Sequence, residues 1–174
     1  LLKARVDVHE LDSSTDYRQG REEGDRVYFC PSNAVARAEM DSAWRRETGG
    51  ATGVPMTISI HGRKVVIPQT SDICGRASFS DLCEQPLGPA DYLAIADQFD
   101  VFFLDDIPVL PWSRNNEAKR FVTLIDTFYE ARIRFFCSAE AEPENLYTEG
   151  TGAFEFARTA SRLAEMQSTE WLQG

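Results

Sequence analysis

An α/β fold is predicted for this chain by its last third, where two short apolar runs flank a helical pattern. Val101-Phe102-Phe103-Leu104 is wholly apolar, as expected of a strand buried on both faces. Ala118, Phe121, Val122, Ile125, Phe128 and Tyr129 then recur at helical spacing. Ile133 to Cys137 is a second apolar run of strand length. Strand, helix and strand of these lengths imply a right-handed parallel crossover. A hairpin upstream adds antiparallel strands, so the expected sheet is mixed.

In chain order, Val6, Val8 and Leu11 alternate as in a strand. Residues 12–26 are polar and charged and read as a loop around Asp16-Tyr17-Arg18. An amphipathic helix is predicted over Asn33 to Glu47, with Ser32 as its cap and Gly49-Gly50 ending it. Met56 to Ile60 and Lys64 to Ile67 form the hairpin, turning at His61-Gly62. Arg76 to Ser80 is expected to add a strand. Asp81 is the expected cap of a short helix to Gln85, and Pro89 suits the first turn of a helix to about Gln98. A final helix is predicted from about Gly152 to Ser168. Three segments follow: 1–27, a strand and loop; 28–98, a helix plus hairpin; and 99–174, the crossover and last helix, all packed as one domain.

The 174 residues suffice for a substantial core, and 43% hydrophobic with 26% charged residues excludes wholesale disorder. A net charge of −10 argues against nonspecific nucleic-acid binding, which relies on Lys and Arg neutralising phosphates. No apolar run is long enough to cross a bilayer. The chain starts Leu1-Leu2-Lys3, without Met, and is read as a cut through a longer protein. Cys30, Cys74, Cys83 and Cys137 form no CxxC pair, and His9 and His61 are the only histidines, so a structural zinc site is not expected. Free, buried thiols in a reducing compartment are.

The chemistry centres on Asp105-Asp106, which follow the apolar strand. Acids at the carboxyl end of a parallel strand face the crevice where α/β proteins bind ligands. There an acid such as Asp105 can hold Mg²⁺ and its neighbour can activate water. The plainer reading, a strand end with solvated or capping carboxylates, is favoured by the pattern alone. Mg²⁺-nucleotide chemistry also needs the Gly-x-x-x-x-Gly-Lys-Ser/Thr phosphate loop, and no glycine here has that spacing.

Glu155, Arg158, Arg162 and Glu165 share one face of the last helix. They read as a ladder of intrahelical ion pairs, or as arginines presented to a nucleotide-sensing or subunit interface. Arg158 and Arg162 stand four apart, a repulsive spacing unless an anion or carboxylate answers it. Trp44 with Arg45 and Arg46 suggests a partner patch, or simply cations at a helix C-terminus. Pro111-Trp112 is either exposed or core. His61 is expected to be a solvated turn residue, and His9 a structural histidine.

Together these stretches resemble the ZapE-like AAA+ ATPases, which include mitochondrial relatives named for lactation elevation. The resemblance is carried by Asp100-Val101-Phe102-Phe103-Leu104-Asp105-Asp106-Ile107-Pro108, Asn116-Glu117-Ala118-Lys119-Arg120-Phe121 and Leu124-Ile125-Asp126-Thr127-Phe128-Tyr129. Ser138-Ala139-Glu140, Glu144-Asn145-Leu146-Tyr147, the run from Phe154 to Ser168, and Asp16-Tyr17-Arg18 continue it. The resemblance implies part of an AAA+-like sheet, with 1–27 closing the core and the hairpin inserted. ATP and Mg²⁺ are its implied cofactors, and the phosphate loop would lie upstream of Leu1. Implied partners are other subunits of the ATPase and a protein client. Links to cell division or protein quality control follow, in the cytoplasm if bacterial and in mitochondria if eukaryotic. Asp16 and Arg18 join Glu155, Arg158 and Arg162 as sensing or interface candidates.

The order strand, acid pair, helix, strand, Ser138-Ala139-Glu140 repeats the order of the family's catalytic half. An internal duplication is therefore expected, with Asp105-Asp106 as a degenerate echo. Three readings stand: an ATPase portion that binds no nucleotide tightly by itself, a client- or partner-binding module, and a Mg²⁺-dependent hydrolase using Asp105 and Asp106.

Overall fold

Each residue of the central strands faces a different layer from its neighbour, and this alternation builds the molecule. The structure, a computed structural model, describes residues 26–150 and 152–173. Val6–Leu11, His9, Asp16 and Arg18 lie outside the described residues.

Six strands form one mixed sheet among the described residues: β1 (Tyr28–Phe29), β2 (Val54–Ile60), β3 (Arg63–Ser71), β4 (Cys74–Ser78), β5 (Val101–Ile107) and β6 (Arg134–Ala139). Their order is β1-β6-β5-β4-β3-β2. The pairs β1–β6, β6–β5 and β5–β4 are parallel, and β4–β3 and β3–β2 are antiparallel. The sheet thus runs unbroken across residue 98.

The first described helix, α1 (Ala34–Thr48), covers one face. Its Met40, Ala43 and Trp44 pack with Phe29, Val101, Phe103 and Phe136. The other face is covered by α2 (Phe79–Cys83), α3 (Pro89–Gln98), α4 (Asn115–Glu130) and α5 (Ala153–Glu165), followed by α6 (Thr169–Gln173). There Phe102 and Leu104 meet Phe121, Leu124, Phe128 and Phe156. Phe103 stacks on Phe136 at 4.5 Å and takes the edge of Trp44 at 5.3 Å. Losing a buried Phe of this kind costs about 3–5 kcal/mol. Phe102 and Phe103 therefore tie opposite layers to the same strand.

Several elements depart from the sequence expectations. Asn33, not Ser32, caps α1: its side chain accepts from the Ala36 amide at 2.9 Å, and Ser32 turns elsewhere. Gly49 ends α1 with φ 71°, a left-handed conformation that suits glycine. The strand expected at Arg76 to Ser80 is β4, two residues earlier. Ser78 caps α2, and Asp81 completes the capping box from the third helical position rather than capping it. α2 and α3 also carry the chain from β4 to the parallel strand β5, so a second parallel crossover precedes the expected one from β5 through α4 to β6. Trp44 is core, not a partner patch: it is 3% exposed and its Nε1 donates to Ala51 O at 2.8 Å. Trp112, by contrast, is 66% exposed. His61 sits exposed at the hairpin turn with φ 48°.

Candidate functional site at the carboxyl ends of the parallel strands

β5 does not stop before the acids; it runs through them, bulged. Leu104 pairs with Cys137 and Ile107 with Ala139, so three steps along β5 match two along β6. The extra residue resets the alternation. Ile107 returns to the α4 side, where it is fully buried, while Asp105 and Asp106 both bond toward the α1 side. Asp106 takes the strain with φ 63°, a conformation that Asp tolerates better than most residues. Its amide donates to Ser138 Oγ at 2.8 Å, and the Val109 amide donates to Glu140 Oε1 at 2.9 Å. The Ser138-Ala139-Glu140 motif thus holds the chain leaving β5.

Asp105 is committed to Arg76. The guanidinium donates from Nε to Oδ2 at 2.8 Å and from Nη2 to Oδ1 at 3.0 Å. Its Nη1 lies 2.9 Å from Asp41 Oδ1 on α1. The Arg76 and Asp105 side chains are only 9% and 14% exposed. Burial pulls the Arg76 guanidinium down, but hydrogen bonds and charge from Asp105 and Asp41 outweigh it and leave it above its ordinary value. Asp106 is half-exposed; it accepts from Ser32 Oγ at 2.7 Å and Arg37 Nη2 at 3.3 Å.

Arg37, Asp41, Arg76, Asp105 and Asp106 line a pocket of about 560 Å³ that also includes Arg45, Gln69, Ser78 and Asp81. Three arginines and four acids meet there. Both oxygens of Asp105 are occupied by Arg76, and the described residues contain no group of three or more His, Cys, Asp or Glu that could hold a metal. As they stand, the residues do not fit a Mg²⁺ site.

Sequence reasoning found Asp105 and Asp106 but missed Arg76 and Asp41. A charged residue inside the apolar or small stretch Cys74-Gly75-Arg76-Ala77 was the available signal, because a buried charge requires a partner.

The α5 arginines are also answered, though not within their own helix. Arg162 Nη1 donates to Asp126 Oδ1 at 2.6 Å, and Arg158 Nη2 to Asp126 Oδ2 at 3.3 Å, both across to α4. Arg162 also lies over the Tyr129 ring at 4.5 Å, and Tyr129 donates to Glu165 at 2.7 Å. The expected intrahelical ladder is therefore an α4–α5 clamp, because both helices lean on the same sheet face. Glu155 and Arg158 border a second pocket of about 610 Å³, lined also by Tyr147 and Phe154. Phe154 is 92% exposed. The structure brings Asp105 together with Asp106, and Glu155 with Arg158, in two separate places.

None of the four cysteines forms a disulfide, and Cys74, Cys83 and Cys137 are buried. Burial raises each of these three thiols, Cys74 to about 11. They are packing groups rather than nucleophiles. No described helix is long and apolar enough to cross a membrane.

Comparison with known proteins agrees with the resemblance in the motifs. Cell division protein ZapE of Escherichia coli K12 is 33% identical over 172 residues, covering 99% of this chain and 46% of that protein. Lactation elevated protein 1 homolog B of Danio rerio is 30% identical over 210 aligned residues, covering 100% of this chain and 42% of that protein. The chain thus spans somewhat less than half the length of these relatives. No solved structure gives a significant match. The family model for AFG1-like ATPases matches residues 1–174, end to end. The chain belongs to the AFG1-like ATPase family.

Proposed function

We propose that this chain is the downstream portion of an ATP-hydrolysing AAA+ protein and does not grip the triphosphate itself. One observation carries the reading: the acid pair at the end of β5 is engaged by Arg76, Ser32 and Arg37. The absence of phosphate-loop spacing in the sequence supports it. ATP and Mg²⁺ would then be held by another part of the parent protein, working as an oligomer on a protein client. Cell division or protein quality control is the expected setting, bacterial cytoplasm or mitochondria the expected place. Arg158, 63% exposed, is the arginine of the clamp best placed to reach another subunit.

The test compares ATP turnover by residues 1–174 with turnover by the intact protein. Hydrolysis is expected only from the latter; comparable turnover by both would refute the proposal.

A second reading, a client- or partner-binding module, is favoured by exposed aromatic surface. Trp112 and Phe154 are exposed beside Tyr147, and Gly150, at φ 112°, fits closely against the Trp112 backbone and the Tyr147 hydroxyl. Such surface commonly marks an interaction site. The two readings are compatible for the parent protein. The stand-alone hydrolase reading has no support from the pocket, since Asp105 has no free oxygen to offer a metal.

A further inference from the structure

The segment from β1 through Cys30-Pro31-Ser32-Asn33 into α1 runs strand, loop, helix, the local arrangement that carries the phosphate loop in nucleotide-binding cores. In those cores the loop's Ser or Thr and an acid at the end of a nearby parallel strand hold Mg²⁺ together. Here Ser32 of the loop donates to Asp106 at the end of β5 at 2.7 Å, with parallel β6 lying between β1 and β5. The pieces that grip phosphate are nevertheless replaced. The loop has no Gly or Lys, Pro31 has no amide hydrogen, and the Asn33 side chain already takes up the Ala36 amide.

A cation beside this pair comes from within the protein. Arg76 projects from β4 between Asp105 on β5 and Asp41 on α1, within 2.8–3.0 Å of both. A guanidinium there bridges the two carboxylates as a divalent ion does in a working site, and it lets the buried Asp105 stay charged while Asp41 remains partly in water.

We infer that this pocket is a degenerate nucleotide-type site whose metal position has been taken over by the Arg76 side chain. It stays assembled with neither metal nor nucleotide. This deepens the reading above, in which the chain leaves the triphosphate to another part of the parent. A cation built into the chain makes the layer between α1 and the sheet independent of nucleotide state.

Removing the built-in cation should reopen a place for a free one. Mn²⁺ alone serves as the probe, with thermal melts and Mn²⁺ EPR as readouts on the 174-residue chain. The wild-type melting midpoint should be unmoved by millimolar Mn²⁺ relative to chelator. Arg76→Ala should melt lower and regain about 5 °C or more with saturating Mn²⁺. The double variant Arg76→Ala, Asp105→Asn should regain none. Should Arg76→Ala fail to fold, Arg76→Gln, which keeps more of the side-chain volume, takes its place in the same titration.

Tight Mn²⁺ binding by the wild type would overturn the inference. So would a folded Arg76 variant that gains nothing from Mn²⁺, or one whose gain survives Asp105→Asn. ATP turnover by the wild-type chain would instead sink the functional reading, so the two failures are distinguishable.

Discussion

Two Arg–Asp clusters in this molecule have the same chemistry and opposite circumstances. Arg76, Asp105 and Asp41 meet beneath α1, with Arg76 and Asp105 9% and 14% exposed. Arg158, Arg162 and Asp126 meet on the surface between α4 and α5, with Arg158 63% exposed. In the first, Arg76 and Asp105 are shut off from water and depend on each other, while solvent reaches Asp41, which is 47% exposed. In the second, solvent screens the charges and replaces whatever is lost. Ion-pair distance alone would not separate them: 2.8 Å for Arg76–Asp105 and 2.6 Å for Arg162–Asp126.

The largest test of that contrast is Asp105→Ala, expected to cost about 3–5 kcal/mol in urea unfolding because Arg76 is left under-compensated. A loss below about 1 kcal/mol would show that water reaches the triad as freely as it reaches the clamp.

Alkaline pH probes the same buried layer, because Cys74 lies on β4 facing α1 with Arg76. Burial, then the charges of Glu47, Asp72 and Asp100, hold its thiol at about 11 against an ordinary 9.0. The folded chain keeps this proton where the unfolded chain loses it. Its contribution is therefore fully present below pH 9.0 and falls away between about 9 and 11. Buried Cys83 and Cys137 and Tyr28 and Tyr92 are raised in the same direction. Cys74→Ala should shrink the alkaline loss seen in urea melts at successive pH values; an unchanged slope would assign it to the other four.

On the clamp, Arg162→Ala should cost about 1 kcal/mol, since it loses a short ion pair and its seat over Tyr129. Smallest of all, Arg158→Ala should change stability by no more than about 0.5 kcal/mol. That makes it informative in the intact protein. A drop in ATP turnover at unchanged fold content would give Arg158 a sensing or interface role, and unchanged turnover would leave it a surface ion pair.

Patterns local in the chain were readable without the structure. The apolar runs at 101–104 and 133–137, the 3.6-residue spacing of α4, and the His61-Gly62 turn each report on neighbours a few residues apart. The site depends on distant pairs. Arg76 and Asp105 are 29 residues apart, and Arg162 and Asp126 are 36. Spacing along one helix could show that Arg158 and Arg162 needed a carboxylate, but not that it would come from α4. The caps were each misplaced by a few residues because Ser32, Asn33, Ser78 and Asp81 are all competent cap formers. Only backbone geometry decides among them.

The bulge in β5 has a consequence for how many residues may stand between Leu104 and Ile107. Deleting either aspartate would leave a regular strand in which Ile107, two steps from Leu104 as Ala139 is from Cys137, still faces Ala139 and the α4 side. Packing on that side therefore asks for one intervening residue, not two. The second residue of the doublet is thus an insertion that places another side chain on the α1 side, and the identity of the two acids is answered by Arg76 and Ser32.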